Sequence, residues 1–430
     1  MKQSLASTFG FMRGNILVLS ISGTLGMFCR GMVFPYVPLY ILSLGGEPAE
    51  IGFIYALGPL GGLLVFPLAG YLADHASRAR IIAFTGYFSC AIFLLYIFAQ
   101  SWHWVALGLL LQGFAVLQFP ASSALVADSL PPHNRGRGMA TMQTVSGIPA
   151  ILAPYAAGLL LDAHGIDAGM RMLYTIMAVA YGLSATINLL FIKEPDRRET
   201  AKLTGGQASA AFKKSYTGIP ALLRRFPPTL RALAAIIILG FMANGLASPF
   251  WVVYANNQIG LSTTQWGTVL LIEATLGHLV RIPAGFLADR YGRTRFILAA
   301  LVLGGICMPL FVLAGTLGQV MAVRCLVALC MAFFGPACGA LLADSTPRDI
   351  RGRVMAAIGR GSVAIGAASG GTGGPGVGFL TSLPLALAAL AGGWLYSWNP
   401  ASPWGLVLLF SALALILAAV FVRDPQKAEI

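Results

Sequence analysis

Charge is scarce in this 430-residue chain: Asp, Glu, Lys and Arg together make up 10% of it, where a soluble domain carries about 25%. Acids are the rarer sign, 15 against 28 Lys and Arg. So little charge argues against the two or three water-soluble domains that such a length ordinarily suggests. Metal ligands are short as well. The six cysteines (Cys29, Cys90, Cys307, Cys325, Cys330 and Cys338) all fall in apolar stretches. None has metal-site spacing, and Cys325 and Cys330, five apart, do not share a helical face. They read as free, packed thiols. No nucleophile–base constellation, metal set or phosphate loop is found, so neither an enzyme nor a cofactor is expected. Active transport, if any, must then draw on an ion gradient. No cleavable leader is expected, because the first apolar block is too long and has no A-x-A-type site.

What fills the chain is apolar: 57% of residues are hydrophobic. They gather in blocks about 20 residues long, the length a helix needs to cross a bilayer. Twelve are counted, at 15–41, 51–73, 81–99, 104–127, 138–161, 170–192, 231–255, 265–288, 296–314, 318–343, 354–385 and 403–422, the eleventh irregular. The fold class expected is all-α, with twelve transmembrane helices in a lipid bilayer.

The net charge of +13 invites a nucleic-acid reading, which its placement argues against. With both termini on one side, 23 of the 28 basic residues lie on that side and only Arg171 on the other. This is the positive-inside bias, so both termini are expected in the cytoplasm, here of a bacterial-type inner membrane, with no nucleic-acid partner.

The two halves of the chain repeat. "AGYLADHASRAR" from Ala69 returns as "AGFLADRYGRTR" from Ala284, and "PASSALVADSLPPHNRGRGMA" from Pro120 returns as "PACGALLADSTPRDIRGRVMA" from Pro336. Pro35 and Tyr40 match Pro249 and Tyr254. Six blocks per copy put both copies in the same orientation, related by an axis along the membrane normal. The boundaries expected are an N-terminal six-helix bundle at 1–192, a cytoplasmic linker at 193–230 and a C-terminal bundle at 231–430. Within the linker, "AAFKKSYTGIPALLRRF" mixes apolar residues with four cations. It suits either a helix lying on the inner leaflet or a flexible tether.

These strings resemble the signature loop of the major facilitator superfamily, G-x-L-A-D-[RK]-x-G-[RK]-[RK]. Gly285, Leu287, Ala288, Asp289, Arg290, Gly292 and Arg293 fit it closely. The first copy keeps Gly70, Leu72, Ala73, Asp74 and Arg78, with His75 and Ser77 as departures. The resemblance covers nearly the whole chain and implies alternating access between two six-helix bundles. It also implies cytoplasmic gate clusters, here Asp74, Arg78, Asp128 and Arg135 in one half and Asp289, Arg293, Asp344 and Arg351 in the other. The alternative is that these charges only set topology and cap loops.

Charges inside the apolar blocks are the functional candidates, since a carboxylate or guanidinium at membrane depth is costly unless paired or facing water. Glu273 is the one acid not at a helix end or in a loop. Glu273, Gly277 and Arg281 step by four and share a face, and the neighbouring His278 titrates near neutral pH. Arg30 lies at a depth similar to that of Glu273. Arg30 and Arg281, with Arg360, suggest a basic-walled cavity for an anionic or carboxylate-bearing substrate. Glu273 and His278 are candidates for proton coupling, with a static pair between Glu273 and Arg324 or Arg30 as the alternative. In the family the first, fourth, seventh and tenth helices line the cavity, which implicates Tyr36, Gln112, Asn244 and Tyr254 in contacting a small-molecule substrate. Tyr40, Gln118, Trp251 and Asn256 belong to the same group.

From Gly359 to Gly378, nine of twenty residues are glycine. Such backbone inside a membrane needs protein or a cavity beside it, and it suits a hinge, an anion nest or close helix packing. Drug–proton antiporters of the family carry L-x-x-R-x-x-Q-G in the fourth helix and G-P-x-x-G-G in the fifth. This chain has Leu109 at the arginine position, and "APYAAG" keeps only Pro154 and Gly158 of the second motif. Efflux of a drug or metabolite coupled to a proton gradient is the first expectation, by a monomer. Uptake of an organic anion and a non-transporting receptor on the same fold are the alternatives.

Overall fold

The computed structural model describes residues 13–130, 135–193, 226–346 and 377–424, with 223–224, 350, 354 and 357–359 besides. Twelve of its helices are long and apolar enough to span a membrane. They are α1 Asn15–Ser43, α2 Pro48–His75, α3 Arg78–Ile97, α4 Trp102–Ser129, α5 Arg135–His164, α6 Ile166–Phe191, α7 Pro228–Asn257, α8 Thr263–Tyr291, α9 Arg293–Leu313, α10 Leu317–Asp344, α11 Phe379–Trp398 and α12 Ser402–Phe421. Eleven overlay the apolar blocks. The eleventh block, expected at 354–385, is corrected: the helix runs from Phe379 to Trp398. The many glycines of the 354–385 stretch count as apolar but disfavour a helix, whereas the Leu- and Ala-rich run after Gly378 favours one. The Gly-rich hinge reading at 359–378 and the proposed surface helix at 210–226 fall largely outside the described residues.

Helix starts follow local capping chemistry. Ser262 accepts from Gln265 N at 3.2 Å while the Gln265 side chain accepts from Ser262 N at 3.0 Å, a reciprocal cap that opens α8. Thr316 opens α10 by accepting from Gln319 N. The repeated prolines mark repeated breaks. α1 tightens to a 3₁₀ turn over Phe34–Tyr36, and α7 is interrupted at Ser248–Pro249, since a proline has no N–H for the ladder.

Packing repeats with the same period of six helices. α1 lies against α5, α2 against α4 and α3 against α6; α7 lies against α11, α8 against α10 and α9 against α12. A small contact joins the ends of α1 and α7, and two larger ones join the first six helices to the last six: α2 with α11, and α5 with α8. Both are lined by glycine. A Cβ on Gly52 would stand 2.5 Å from Ala389 O, and one on Gly158 only 2.4 Å from Thr263 O. Only glycine lets the backbones come this close. Outside the bundle, large apolar side chains stay uncovered, as lipid requires. Trp394 and Trp398, near the end of α11, are 69% and 78% exposed, where interfacial aromatic belts form.

Helix ends on the face carrying residues 13 and 424 are tied by polar contacts. Asn15 bridges to Lys193, Arg78 pairs with Asp128, and Arg293 pairs with Asp289 at 2.9 Å and with Asp344. The two copies of the signature loop turn differently. Gly292 has φ +99, and a Cβ there would stand 2.7 Å from Asp424, which itself accepts from Thr294 N at the start of α9. Ser77, its counterpart, has φ −62 and caps α3 through Arg80 N instead. On the opposite face, Arg171 donates to the carbonyls of Ile97 and Ala99 at 2.6 Å, neutralising the end of α3.

Candidate functional site

Between the two sets of helices lies a cavity of about 860 Å³, large enough for a drug-sized molecule. Its wall includes Leu19, Ile82 and Met142, each within about two turns of a helix start on the face that carries the chain ends. It runs inward to Trp251 and Trp266. Beyond them the opposite face is sealed. Tyr36 OH donates to Pro154 O at 2.7 Å and lies 3.1 Å from Thr263 O. A Cβ on Gly267 would lie 2.6 Å from Pro154 O.

Asp162, near the end of α5, completes that seal. Its carboxylate accepts from Thr263 N and Thr264 N at 3.0 Å, from Ser262 OH at 2.8 Å and from Thr263 OH at 2.5 Å. It thus caps the N-terminus of a helix in the other half of the chain, where the helix dipole favours an anion. Asp162→Ala is expected to weaken the seal by about 1 kcal/mol, the worth of an N-cap, raising the population open on that face about fivefold. Accessibility of a cysteine placed beneath the seal measures this; an unchanged labelling rate would show that α5 and α8 hold without the cap.

The sequence candidates divide by position. Arg30, Gln112, Glu273, His278 and Arg281 line the cavity. Tyr36, Asn244 and Tyr254 do not. Tyr36 is fully buried in the seal. Tyr254 donates to Val312 O at 3.0 Å and packs on Phe311 and Trp404. Asn244 lies deep in α7 with its Oδ1 buried. Tyr36 and Tyr254 sit at or beyond the level where α1 and α7 break and Asn244 about one turn before it; Pro35, Pro38, Trp251 and Val252 at the same level line the cavity, but none of these three side chains does. Among the gate residues, Arg78, Asp128, Asp289, Arg293 and Asp344 form pairs within their own halves. The side chains of Asp74 and Arg135, and the whole of Arg351 and Arg360, lie outside the described residues.

Glu273 meets Arg324 rather than Arg30. Arg324 Nε and Nη2 lie 2.8 and 2.5 Å from Glu273 Oε2. The guanidinium, fully buried, sits 4.5 Å from the Trp251 ring centre and 5.6 Å from that of Trp266. The indole faces stabilise the cation, and the carboxylate neutralises it. Five residues further on, His278 Nδ1 lies 2.8 Å from Ala274 O. A carbonyl only accepts, so Nδ1 carries the proton and Nε2 keeps its lone pair in the neutral ring. That nitrogen faces Gly147 of α5, where a Cβ would lie 3.6 Å away. Trp266, Phe119 and Asn188 also line the cavity and carry no signal in the sequence that separates them from lipid-facing or core neighbours.

A sequence model of the Major Facilitator Superfamily matches residues 19–277 and 233–429. Among curated proteins, the multidrug resistance protein MdtG of Enterobacter lignolyticus is 26% identical over 346 residues, covering 77% of this chain and 79% of the relative. MdtG of Salmonella typhi is 25% identical, with 77% and 81% covered. Among solved structures, a mutant of the nucleoside transporter NupG matches with a TM-score of 0.69 at 16% identity, covering 94% of this chain and 98% of that one. A bacterial homologue of the iron transporter ferroportin, in its inward-facing state, matches with a TM-score of 0.69 at 14% identity, with 94% and 98% covered.

Proposed function

The chain belongs to the Major Facilitator Superfamily, and from that premise we propose that this twelve-span membrane transporter exports an amphipathic drug or metabolite in exchange for protons. Its chief support is the central cavity, open toward the face of the chain ends, sealed opposite by α5 and α8, and holding one ionisable acid, Glu273, in its wall. With the basic loops in the cytoplasm, that open face is the cytoplasmic one and the conformation is inward-facing. The drug-resistance relatives in bacteria agree with export and with an inner-membrane location. A bundle at each end of the chain, joined by a linker near 193–230, supplies the two bodies that rock about the cavity.

Proton coupling falls to Glu273. As a carboxylate it holds Arg324; with a proton it releases that hold, and the arginine's charge then needs another partner. Substrate and proton would therefore bias the same pair in opposite senses, the differential interaction that coupling requires. The gate pairs at Arg78 and Arg293 stiffen the helix ends that must close together on the cytoplasmic side.

Everted membrane vesicles test this reading. Energised vesicles should accumulate a substrate dye, and collapse of the pH gradient should release it. Glu273→Gln should cut gradient-driven accumulation by about tenfold, equivalent to ~1.4 kcal/mol of lost coupling, while counterflow at zero gradient persists. Accumulation by Glu273→Gln equal to wild type would remove Glu273 from the coupling.

A further inference from the structure

The cavity has an excess of positive charge that no acid among the described residues neutralises. Arg30 on α1 and Arg281 on α8 both line it. Arg30 Nε is buried without a hydrogen-bond partner, and the guanidinium lies 5.2 Å from the Phe34 ring centre. Neither arginine has a carboxylate within ion-pair distance among the described residues. The one acid in the wall, Glu273, is engaged by the fully buried Arg324. The other described acids with ionic or capping partners are all at helix ends: Asp128, Asp289, Asp344 and Asp424 on one face, Glu47, Glu50, Asp162 and Asp167 on the other. Two cations in an apolar, partly enclosed cavity focus a positive potential and call for an anion.

The two arginines differ in depth. Arg30 sits one turn before the break at Phe34–Tyr36, near the blind end. Arg281 lies two turns beyond Glu273 toward the open mouth, about 12 Å along α8, and is exposed. Gln112 and Phe119 of α4 flank Arg30 and offer an amide and an aromatic face.

Resting on the export reading above, we propose that the transported molecule is an amphipathic organic anion: a carboxylate, sulfonate or phosphonate on an apolar body. Its charged group pairs with Arg30 at the blind end, and its body lies against Phe34, Phe119 and Trp266. Arg281 draws the anion in from the mouth. Export of a cation by the same cavity would require it to sit between two unpaired arginines.

Four probes sharing one aromatic body separate the ligand classes: 2-naphthoate, naphthalene-2-sulfonate, 2-naphthylmethanol and (2-naphthylmethyl)trimethylammonium. Binding to the full chain in nanodiscs is read by quenching of tryptophan emission, since Trp251 and Trp266 line the cavity. The two anions should bind on the order of tenfold more tightly than the alcohol, and the cation weakest. Arg30→Ala should remove that preference, with Arg30→Lys restoring part of it. Arg281→Ala should lower the association rate of the anions and flatten its salt dependence. Equal or tighter binding of the cation, binding of none of the four, or anion preference surviving in Arg30→Ala would each overturn the proposal. Counterflow of the same probes in proteoliposomes tells its failure from that of the export reading. Movement of the cation alone would sink the anion class and leave export standing. Arg30-dependent anion binding with no movement of any probe would do the reverse.

Discussion

Arg324→Met is expected to destabilise the protein by about 3–5 kcal/mol, the cost of leaving one member of a buried ion pair without its partner. The side chain is 0% exposed, its carboxylate partner is Glu273, and two indole rings stack on the guanidinium. Methionine fills much of the volume, so the loss comes from the carboxylate left in an apolar wall rather than from an empty space. Replacing both partners should therefore recover most of it. The double variant Arg324→Met with Glu273→Leu removes charge and counter-charge together, a change that is often neutral in buried pairs. Denaturant unfolding of the two single variants and the double, in one detergent, closes the cycle. A single variant within about 1 kcal/mol of wild type would show the pair to be solvated through the cavity, and the coupling role of Glu273 would lose its physical basis.

Gly158→Val should shift the protein away from the sealed, inward-facing state. A Cβ at this position stands 2.4 Å from the Thr263 carbonyl oxygen, 2.8 Å from its carbon and 2.9 Å from Thr264 Cα. These are backbone atoms of a well-ordered helix start and cannot swing aside. Overpacking of this kind costs about 1–3 kcal/mol where the surroundings can relax. Here they relax by parting α5 from α8, which is the movement that opens the sealed face. The variant is thus expected to fold and to populate the outward-open state roughly 10- to 100-fold more than wild type, with transport lost. Spin-label distances between the α5 and α8 ends should lengthen. Gly277→Ala is the control, because its Cβ would meet only the Ala328 methyl, at 4.0 Å, and transport should survive. A Gly158→Val protein with an unchanged distance and normal transport would mean that the tight contact is not required for closure.

Reading from the sequence succeeded where one residue type dominates a whole segment. Runs of apolar residues located eleven of the twelve spans, because a bilayer-crossing helix must be apolar along its full length. The repeat matches Pro35 with Pro249, near which α1 and α7 break, and the intramembrane charges Arg30, Glu273 and Arg281 line the cavity. It failed where small residues dominate. Glycine counts as apolar yet does not fix where a helix begins, so the apolar block that starts at 354 precedes the start of α11 at Phe379 by 25 residues. It failed again for Tyr36 and Tyr254, which a helix-by-helix assignment cannot tell from cavity residues. Each hydroxyl found a backbone carbonyl, and the ring went with it. Asp162 went unremarked because a carboxylate at a helix end is ordinary; its partner Thr263 is 101 residues away.

By itself, then, the sequence determined the class of molecule: apolar length made it a membrane bundle, and the repeat made it two copies of one unit. Those properties are sums along the chain and need no knowledge of neighbours in space. The tertiary structure decided what only neighbours decide. It chose Arg324 over Arg30 as the partner of Glu273, and so left Arg30 without an acid among the described residues. It also closed one face with glycines that bring backbones within contact of each other. Pairing in a low-dielectric interior depends on a few ångströms of separation, and no spacing along a helix reports the distance to the helix across the cavity.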